Sequence, residues 1–290
     1  LIHFHDMMQT SYHERMLMAF RDLYPKLQDL SDLDWSERRA SSGTGGMLLK
    51  ARKQSGANLW YYKLSSYDPY RGVYGHECVN ELVASRLMER LGMDHLRYEL
   101  VHALVSIDGL LEETWLNRSK NFRRSGESKL GLDTFYELKR EAGESPLDFC
   151  DRMGWRRSIE QIMALDYLIA NRDRHGANIE VLIDRAGDAR LAPVFDCGLS
   201  FVFSSFGDEV RIRSFDALED VQANNFIGTR SLEQNLAFVS SESIGAWQID
   251  EDVCRELTRG LDAVLPTAHR EKIEEIVLRR WRRLEELRDS

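Results

Sequence analysis

Two short stretches carry side chains suited to chemistry: Asn171-Arg172-Asp173-Arg174-His175-Gly176-Ala177-Asn178 and Phe195-Asp196-Cys197-Gly198. Between them lie a β-rich run over 179–184, a turn at Arg185-Ala186-Gly187-Asp188 and a second β-rich run over 190–195. Such a hairpin returns Asp196 to the neighbourhood of Asn178, so that Asp173, Asn178 and Asp196 converge on one point. That set is what phosphoryl transfer from ATP requires. One carboxylate orients the attacking hydroxyl, while an amide oxygen and a second carboxylate hold magnesium on the phosphates. Magnesium prefers such hard oxygen ligands and keeps water for the rest of its octahedron. The expectation is Asp173 as the catalytic carboxylate, Asn178 and Asp196 as metal ligands, and ATP and Mg2+ as cofactors.

Other elements must position these groups. Residues 158–170 place Ile162, Leu165 and Ile169 on one stripe, a buried helix that delivers the Asp173 loop. His175, between the acid and the amide, is assigned to the nucleotide site as a residue that orients the loop. Arg172 and Arg174 flank Asp173, where one neutralises transferred-phosphate charge or both lie on the surface.

Upstream, Ser41-Ser42-Gly43-Thr44-Gly45-Gly46 holds three glycines in four residues, which lets backbone N–H groups approach a ligand. Ser42, Gly43, Thr44, Gly45 and Gly46 are assigned to the nucleotide. The loop lacks the Gly-Lys-Ser/Thr ending of a P-loop. Residues 47–52 and 58–64 read as strands joined by a turn at 54–57. Leu59, Tyr61 and Lys63 share a face, which sends Lys63 inward with its apolar neighbours. Lys63 is assigned to the ATP phosphates, with Lys50 as its competitor. Residues 76–91 predict a helix closed by Gly92, in which Glu77 and Glu81 share a face and one should hold the lysine.

Residues 10–24 predict a helix ended by Pro25. Residues 95–104 and 107–116 predict a hairpin, completing five strands and one helix, with a hinge at 115–117. The polar, basic stretch 117–131 reads as a loop beside the cleft. Helices are expected over 132–142, 146–153, 251–265 and 267–287. Arg211 and Arg213 alternate with Val210 and Ile212, which reads as a strand.

The chain has 290 residues, 43% hydrophobic and 30% charged, which is ordinary for a globular protein. A net charge of −9 argues against a nucleic-acid-binding surface. No run of 18 apolar residues exists to span a membrane. Four scattered cysteines suggest neither a zinc site nor a disulfide framework, so a cytoplasmic location is expected.

Asn171-x-Asp173-x-His175-x-x-Asn178 followed by Phe195-Asp196 resembles the HipA-like serine/threonine kinases of bacteria. The same loop with its Asp-x-Gly is also similar to that of phosphoinositide kinases. Asp196-Cys197-Gly198 departs from Asp-Phe-Gly at its middle residue. The resemblance implies an α+β, two-lobed protein-kinase-like fold. A small β-rich lobe would occupy 1–116, with the amino-terminal helix and the Gly-rich loop. A mainly helical lobe would occupy 117–290, with the catalytic loop and the metal-binding Asp196. An Asn-Glu pair in the family's first helix aligns with Asn80-Glu81, which favours Glu81 over Glu77 as the partner of Lys63.

The resemblance further implies transfer of the γ-phosphoryl group to a Ser or Thr of a protein substrate. Members typically act as toxins in toxin–antitoxin pairs, in some cases on an aminoacyl-tRNA synthetase. The implied partners are thus such a substrate and an antitoxin. About 40 residues precede the glycine loop, so the chain looks like the short, stand-alone branch without the extra amino-terminal subdomain. Longer relatives autophosphorylate a serine at this loop, where Ser41 and Ser42 stand. The alternatives are a lipid or small-molecule kinase with the same apparatus, and a catalytically dead kinase fold serving as a binding module.

Overall fold

The computed structural model describes residues 22–35, 37–40 and 47–289. The loop at 41–46, with Ser41, Ser42, Gly43, Thr44, Gly45 and Gly46, lies outside the described residues, as does most of the helix read over 10–24. Where that helix was to end, Leu23 and Tyr24 instead begin a strand that continues through Pro25.

Seven strands form one sheet: β1 (Leu23–Leu30), β2 (Glu37–Ala40), β3 (Met47–Ser55), β4 (Asn58–Asp68), β5 (Gly72–Val73), β6 (Tyr98–Ile107) and β7 (Leu110–Lys120). Their order is β1-β6-β7-β4-β3-β2, with β5 added to β4. All pairs are antiparallel except β1 with β6. Pro25 is tolerated because β1 is an edge strand whose register shifts between Tyr24 and Gln28.

The β6–β7 turn is the pair Asp108-Gly109, both at positive φ, with Ile107 opposite Leu110. Both strands are therefore shifted by three or four residues toward the carboxy terminus of where the sequence predicts them. Residues 115–117 are not a hinge but the middle of β7, and the division at 116/117 falls inside this strand. The sheet ends after Lys120, where the Asn121 N–H donates to the Leu59 carbonyl at 2.9 Å. The stretch 117–131 is a loop only in its middle, since β8 (Ser128–Gly131) closes it.

One sheet face packs Leu49, Ala51, Tyr62, Leu64, Val101, Val105 and Leu116 under Leu30, Leu33 and Trp35. Lys63 points to the opposite face, so its inward direction is toward α1 (Glu77–Leu91) and not into this core. Residues Glu77 to Met88 and Leu91 of α1 are all buried, because the helix is covered by the sheet on one side and by the second lobe on the other. Arg86 clamps it: Nε and Nη2 donate to the two Asp22 carboxylate oxygens at 2.8 Å, and Nη1 donates to the Leu257 and Arg259 carbonyls at 2.9 Å.

Carboxy-terminal to the sheet come α2 (Leu132–Lys139), α3 (Pro146–Arg152), α4 (Arg156–Leu168), β9 (Asp173–Arg174), β10 (Glu180–Ile183), β11 (Ala189–Leu191), α5 (Glu209–Ser214), β12 (Asn224–Asn225), α6 (Leu232–Asn235), α7 (Ser241–Ile244), α8 (Glu251–Thr258) and α9 (Thr267–Asp289). β10 and β11 form the expected hairpin, extended by β8 into an antiparallel three-stranded sheet. Residues 210–213 are not a strand but part of α5, started by Asp208, whose carboxylate accepts the Arg211 N–H at 3.0 Å. The helix read over 251–265 stops at Thr258, because Gly260 turns the chain at φ 77 before α9.

His76, just before α1, packs edge-on against His269 of α9, with ring centroids 4.1 Å apart. Burial pushes His76 down to about 3, with the His269 charge adding, and pushes His269 down to about 4. Both folded values lie below the unfolded one, so the unfolded chain binds more protons between pH 6.5 and these values. Stability therefore falls as pH drops through this window, by on the order of several kcal/mol. Thermal melts from pH 7.5 to 4 should show this loss, and His269→Phe should flatten it. An unchanged acid slope in the variant would remove the pair as its source.

Candidate functional site

The site forms where β4, α1, the 171–178 loop and the segment after β11 meet. On β4, Lys63 is paired across the sheet with Lys50 on one side and Asn117 on the other. Its side chain is 12% exposed, and its ammonium lies 2.7 Å from Glu81 Oε1 and 2.7 Å from Asp196 Oδ1. Desolvation opposes the charge on Lys63, but Asp196 and Glu81 outweigh it and hold its pKa well above the usual lysine range. Lys63, Glu81 and Asp196 are thus brought together. Glu77 is not part of this contact: its carboxylate accepts from the Ser66 hydroxyl and backbone instead.

Glu81 is fully buried, which pushes its carboxyl up against the opposing effect of Lys63. Its second oxygen accepts the Cys197 N–H at 3.1 Å. Neighbouring Asn80 donates to the Gly198 and Ser200 carbonyls at 2.9 and 3.0 Å. Two adjacent residues of one buried helix therefore hold the Asp196-Cys197-Gly198 turn from its backbone. A side chain at Gly198 would place a Cβ 3.1 Å from the Glu77 Cβ, so the close approach to α1 calls for glycine. Asp196 itself sits at φ 59. Burial would raise its carboxyl, but Lys63 and Lys50 keep it well below the usual carboxylate range.

Beyond α4, Ala170 at φ 51 turns the chain into the 171–178 loop. Asp173 is half-buried, and desolvation raises its carboxyl, with Asp196 adding and His175 and Asn224 opposing. The Asp173 N–H donates to Asn171 Oδ1 at 3.3 Å, while Asn171 is itself fixed by donating to Asp166 at 2.8 Å. His175 Nε2 stands 3.7 Å from Asp173 Oδ2, with its ring 37% exposed. Asn178 donates its amide nitrogen to the Asp173 carbonyl at 2.9 Å, which orients the amide oxygen as the outward acceptor.

Arg174 is not a surface residue; it is 1% exposed. Its guanidinium forms a fork on Asp166, with Nε 3.0 Å from Oδ2 and Nη2 2.9 Å from Oδ1. Nη1 donates to the Asn178 carbonyl at 3.2 Å and to the Phe195 carbonyl at 2.7 Å. One nitrogen therefore ties the Asn178 loop to the residue before Asp196, and Nη2 reaches Cys197 Sγ at 3.2 Å. The signal for this role was Asp166, an acid inside the apolar helix 158–170, which calls for a buried cation.

Sequence reasoning also passed over Tyr98, whose buried phenol is raised by desolvation and by Glu81 beside it. It passed over Phe122, which stacks on Phe195 at 6.0 Å just after the sheet ends. The four cysteines are buried free thiols, each pushed up to about 12 by burial.

Among the described residues no three His, Cys, Asp or Glu side chains gather to cage a metal. An oxygen from Asn178 and one from Asp196 instead suit magnesium, which takes its remaining ligands from phosphates and water. The paired cations Lys50 and Lys63 suit an anionic nucleotide.

The crystal structure of a Helicobacter pylori proinflammatory kinase, CtkA, is similar to this chain with a TM-score of 0.60, covering 90% of this chain and 97% of that one at 15% identity. The aerobactin synthetase IucC from a hypervirulent pathotype of Klebsiella pneumoniae reaches a TM-score of 0.23 at 14% identity, covering 83% of this chain and 43% of that one, too low to carry an argument. No family model and no curated protein matches the sequence. The chain has an α+β, kinase-like fold, with a mixed sheet in its amino-terminal part and a helical carboxy-terminal part. No helix among the described residues is long and apolar enough to cross a membrane.

Proposed function

We propose that this chain is an ATP-dependent serine/threonine protein kinase of the HipA-like type. The observation that carries the reading is Lys63, 2.7 Å from both Glu81 and Asp196, with Arg174 joining Asn178 to the residue before Asp196. In this reading Lys63 binds the ATP phosphates and Glu81 orients Lys63. Asn178 and Asp196 would hold Mg2+, which when bound would supply positive charge to the phosphates. Asp173 accepts the hydrogen bond of the acceptor hydroxyl, and His175 lines the nucleotide side of the loop. Ser42, Gly43, Thr44, Gly45 and Gly46 are assigned to the nucleotide.

The finer proposal is a cytoplasmic toxin or growth regulator that phosphorylates a protein Ser or Thr. An aminoacyl-tRNA synthetase is a candidate substrate, and an antitoxin its natural counterpart. Autophosphorylation at Ser41 or Ser42 would place a dianion where the ATP phosphates bind and so shut the site. Incubation with radiolabelled ATP and magnesium, alone and with cell extract, tests the reading beside Asp173→Asn. Label on the chain or an extract protein, at least about a hundredfold weaker in the variant, is the expected result. Self-label is expected to map to Ser41 or Ser42. ATP binding without any label would favour the binding module.

A further inference from the structure

After Asp196 the chain leaves the site and returns to it. Its departure is pinned by Asn80 on the Gly198 and Ser200 carbonyls and by the Phe201 N–H on the Ile169 carbonyl at 2.7 Å. Its return is pinned by Arg280 of α9, which donates to the Ala217 carbonyl at 2.7 Å and to the Tyr167 carbonyl at 3.0 Å. The segment then reaches β12, which lies parallel to β9 with Asn224 opposite Asp173 and Asn225 opposite Arg174. The Asn224 N–H donates to the Arg172 carbonyl at 2.8 Å, and the Phe226 N–H donates to the Arg174 carbonyl at 3.1 Å.

From this fixed backbone the Asn224 side chain reaches Asp173, with Nδ2 3.2 Å from Oδ1. An ionised carboxylate only accepts hydrogen bonds, so the amide nitrogen is the end that faces it. His175 stands 3.7 Å from the other oxygen, Oδ2. Oδ1 of Asp173 is thus held by a hydrogen bond from outside its own loop. Asn224 is exposed, so it carries no packing duty that would explain its place.

We propose that Asn224 is a positioning residue for phosphoryl transfer: it holds Oδ1 of Asp173 so that Oδ2 stays directed at the acceptor hydroxyl. The inference rests on the kinase reading and extends it. It makes the end of the 199–225 segment a part of the machinery that orients the acceptor. Misplacing a catalytic group by about 1 Å costs on the order of a hundredfold in rate.

The test is steady-state phosphoryl transfer by the full chain, with Asn224→Ala, Asn224→Gln, Asp173→Asn and the double variant Asn224→Ala/Asp173→Asn. Asn224→Ala is expected to lower kcat by about ten- to a hundredfold and to leave the KM for ATP and the melting temperature in place. Asn224→Gln, which keeps an amide donor, should recover part of the loss. Because Asn224 acts through Asp173, the double variant should be no slower than Asp173→Asn. An unchanged kcat in Asn224→Ala, or losses that multiply in the double variant, would overturn the inference while leaving the kinase reading intact. Absence of transfer by the unaltered chain would overturn both.

Discussion

Asp196→Asn is expected to give a folded protein that transfers phosphate at least about a thousandfold more slowly, a loss of about 4 kcal/mol in transition-state stabilisation. The fold survives because Lys63 keeps its second partner, Glu81, at 2.7 Å. The backbone turn also survives, since Glu81 holds the Cys197 N–H and Asn80 holds the Gly198 carbonyl without using the Asp196 side chain. What disappears is a carboxylate whose charge is secured by Lys63 and Lys50. The loss should be largest in the magnesium dependence of nucleotide binding, measured by calorimetric titration with and without the metal. A variant that keeps a tenth of the rate would show that Asp196 is not the metal ligand.

The second large effect is on stability. Arg174→Met removes the cation that faces Asp166, which is fully buried and keeps Asn171 as a neutral side-chain donor. Breaking a buried pair from one side costs about 3–5 kcal/mol. Removing both charges with Asp166→Leu/Arg174→Met should recover much of that cost, because the desolvation of two ions is removed together. Transfer activity should not return. The donors to the Asn178 and Phe195 carbonyls are absent in both variants, so the loop and the Asp196 turn lose their common tie. Denaturant melts read the first effect and single-turnover transfer the second. A shift under about 1 kcal/mol in Arg174→Met, or full activity in the double variant, would contradict this account.

The parts of the site that the sequence made legible are those set by local periodicity. Two β-rich runs around a Gly-Asp turn predicted the hairpin that returns Asp196 toward Asn178. Helical spacing left Glu77 and Glu81 as equals, and the phase of α1 on the sheet, a tertiary matter, separates them. The end of β7 was hidden because its buried positions, Asn117 and Ser119, are polar. They face the site and not the apolar core, so the usual alternation fails there. Residues 210–213 alternate as a strand would, but the carboxylate of Asp208 starts a helix two residues earlier in the chain. Asn224 could not be found at all, because its contact with Asp173 spans 51 residues and rests on a two-residue ribbon.

The burial of α1 also bears on how such a site is inhibited. Compounds that enter behind Lys63 would need the neighbouring helix to swing outward and vacate a back pocket. Here that displacement would strip Arg86 from Asp22 and from the Leu257 and Arg259 carbonyls, and would expose an apolar helix face from Val79 to Leu91. The helix is a shared beam of both lobes, not a hinged arm. Selective ligands for this chain should therefore be sought around the Phe122–Phe195 stack, and not behind Lys63.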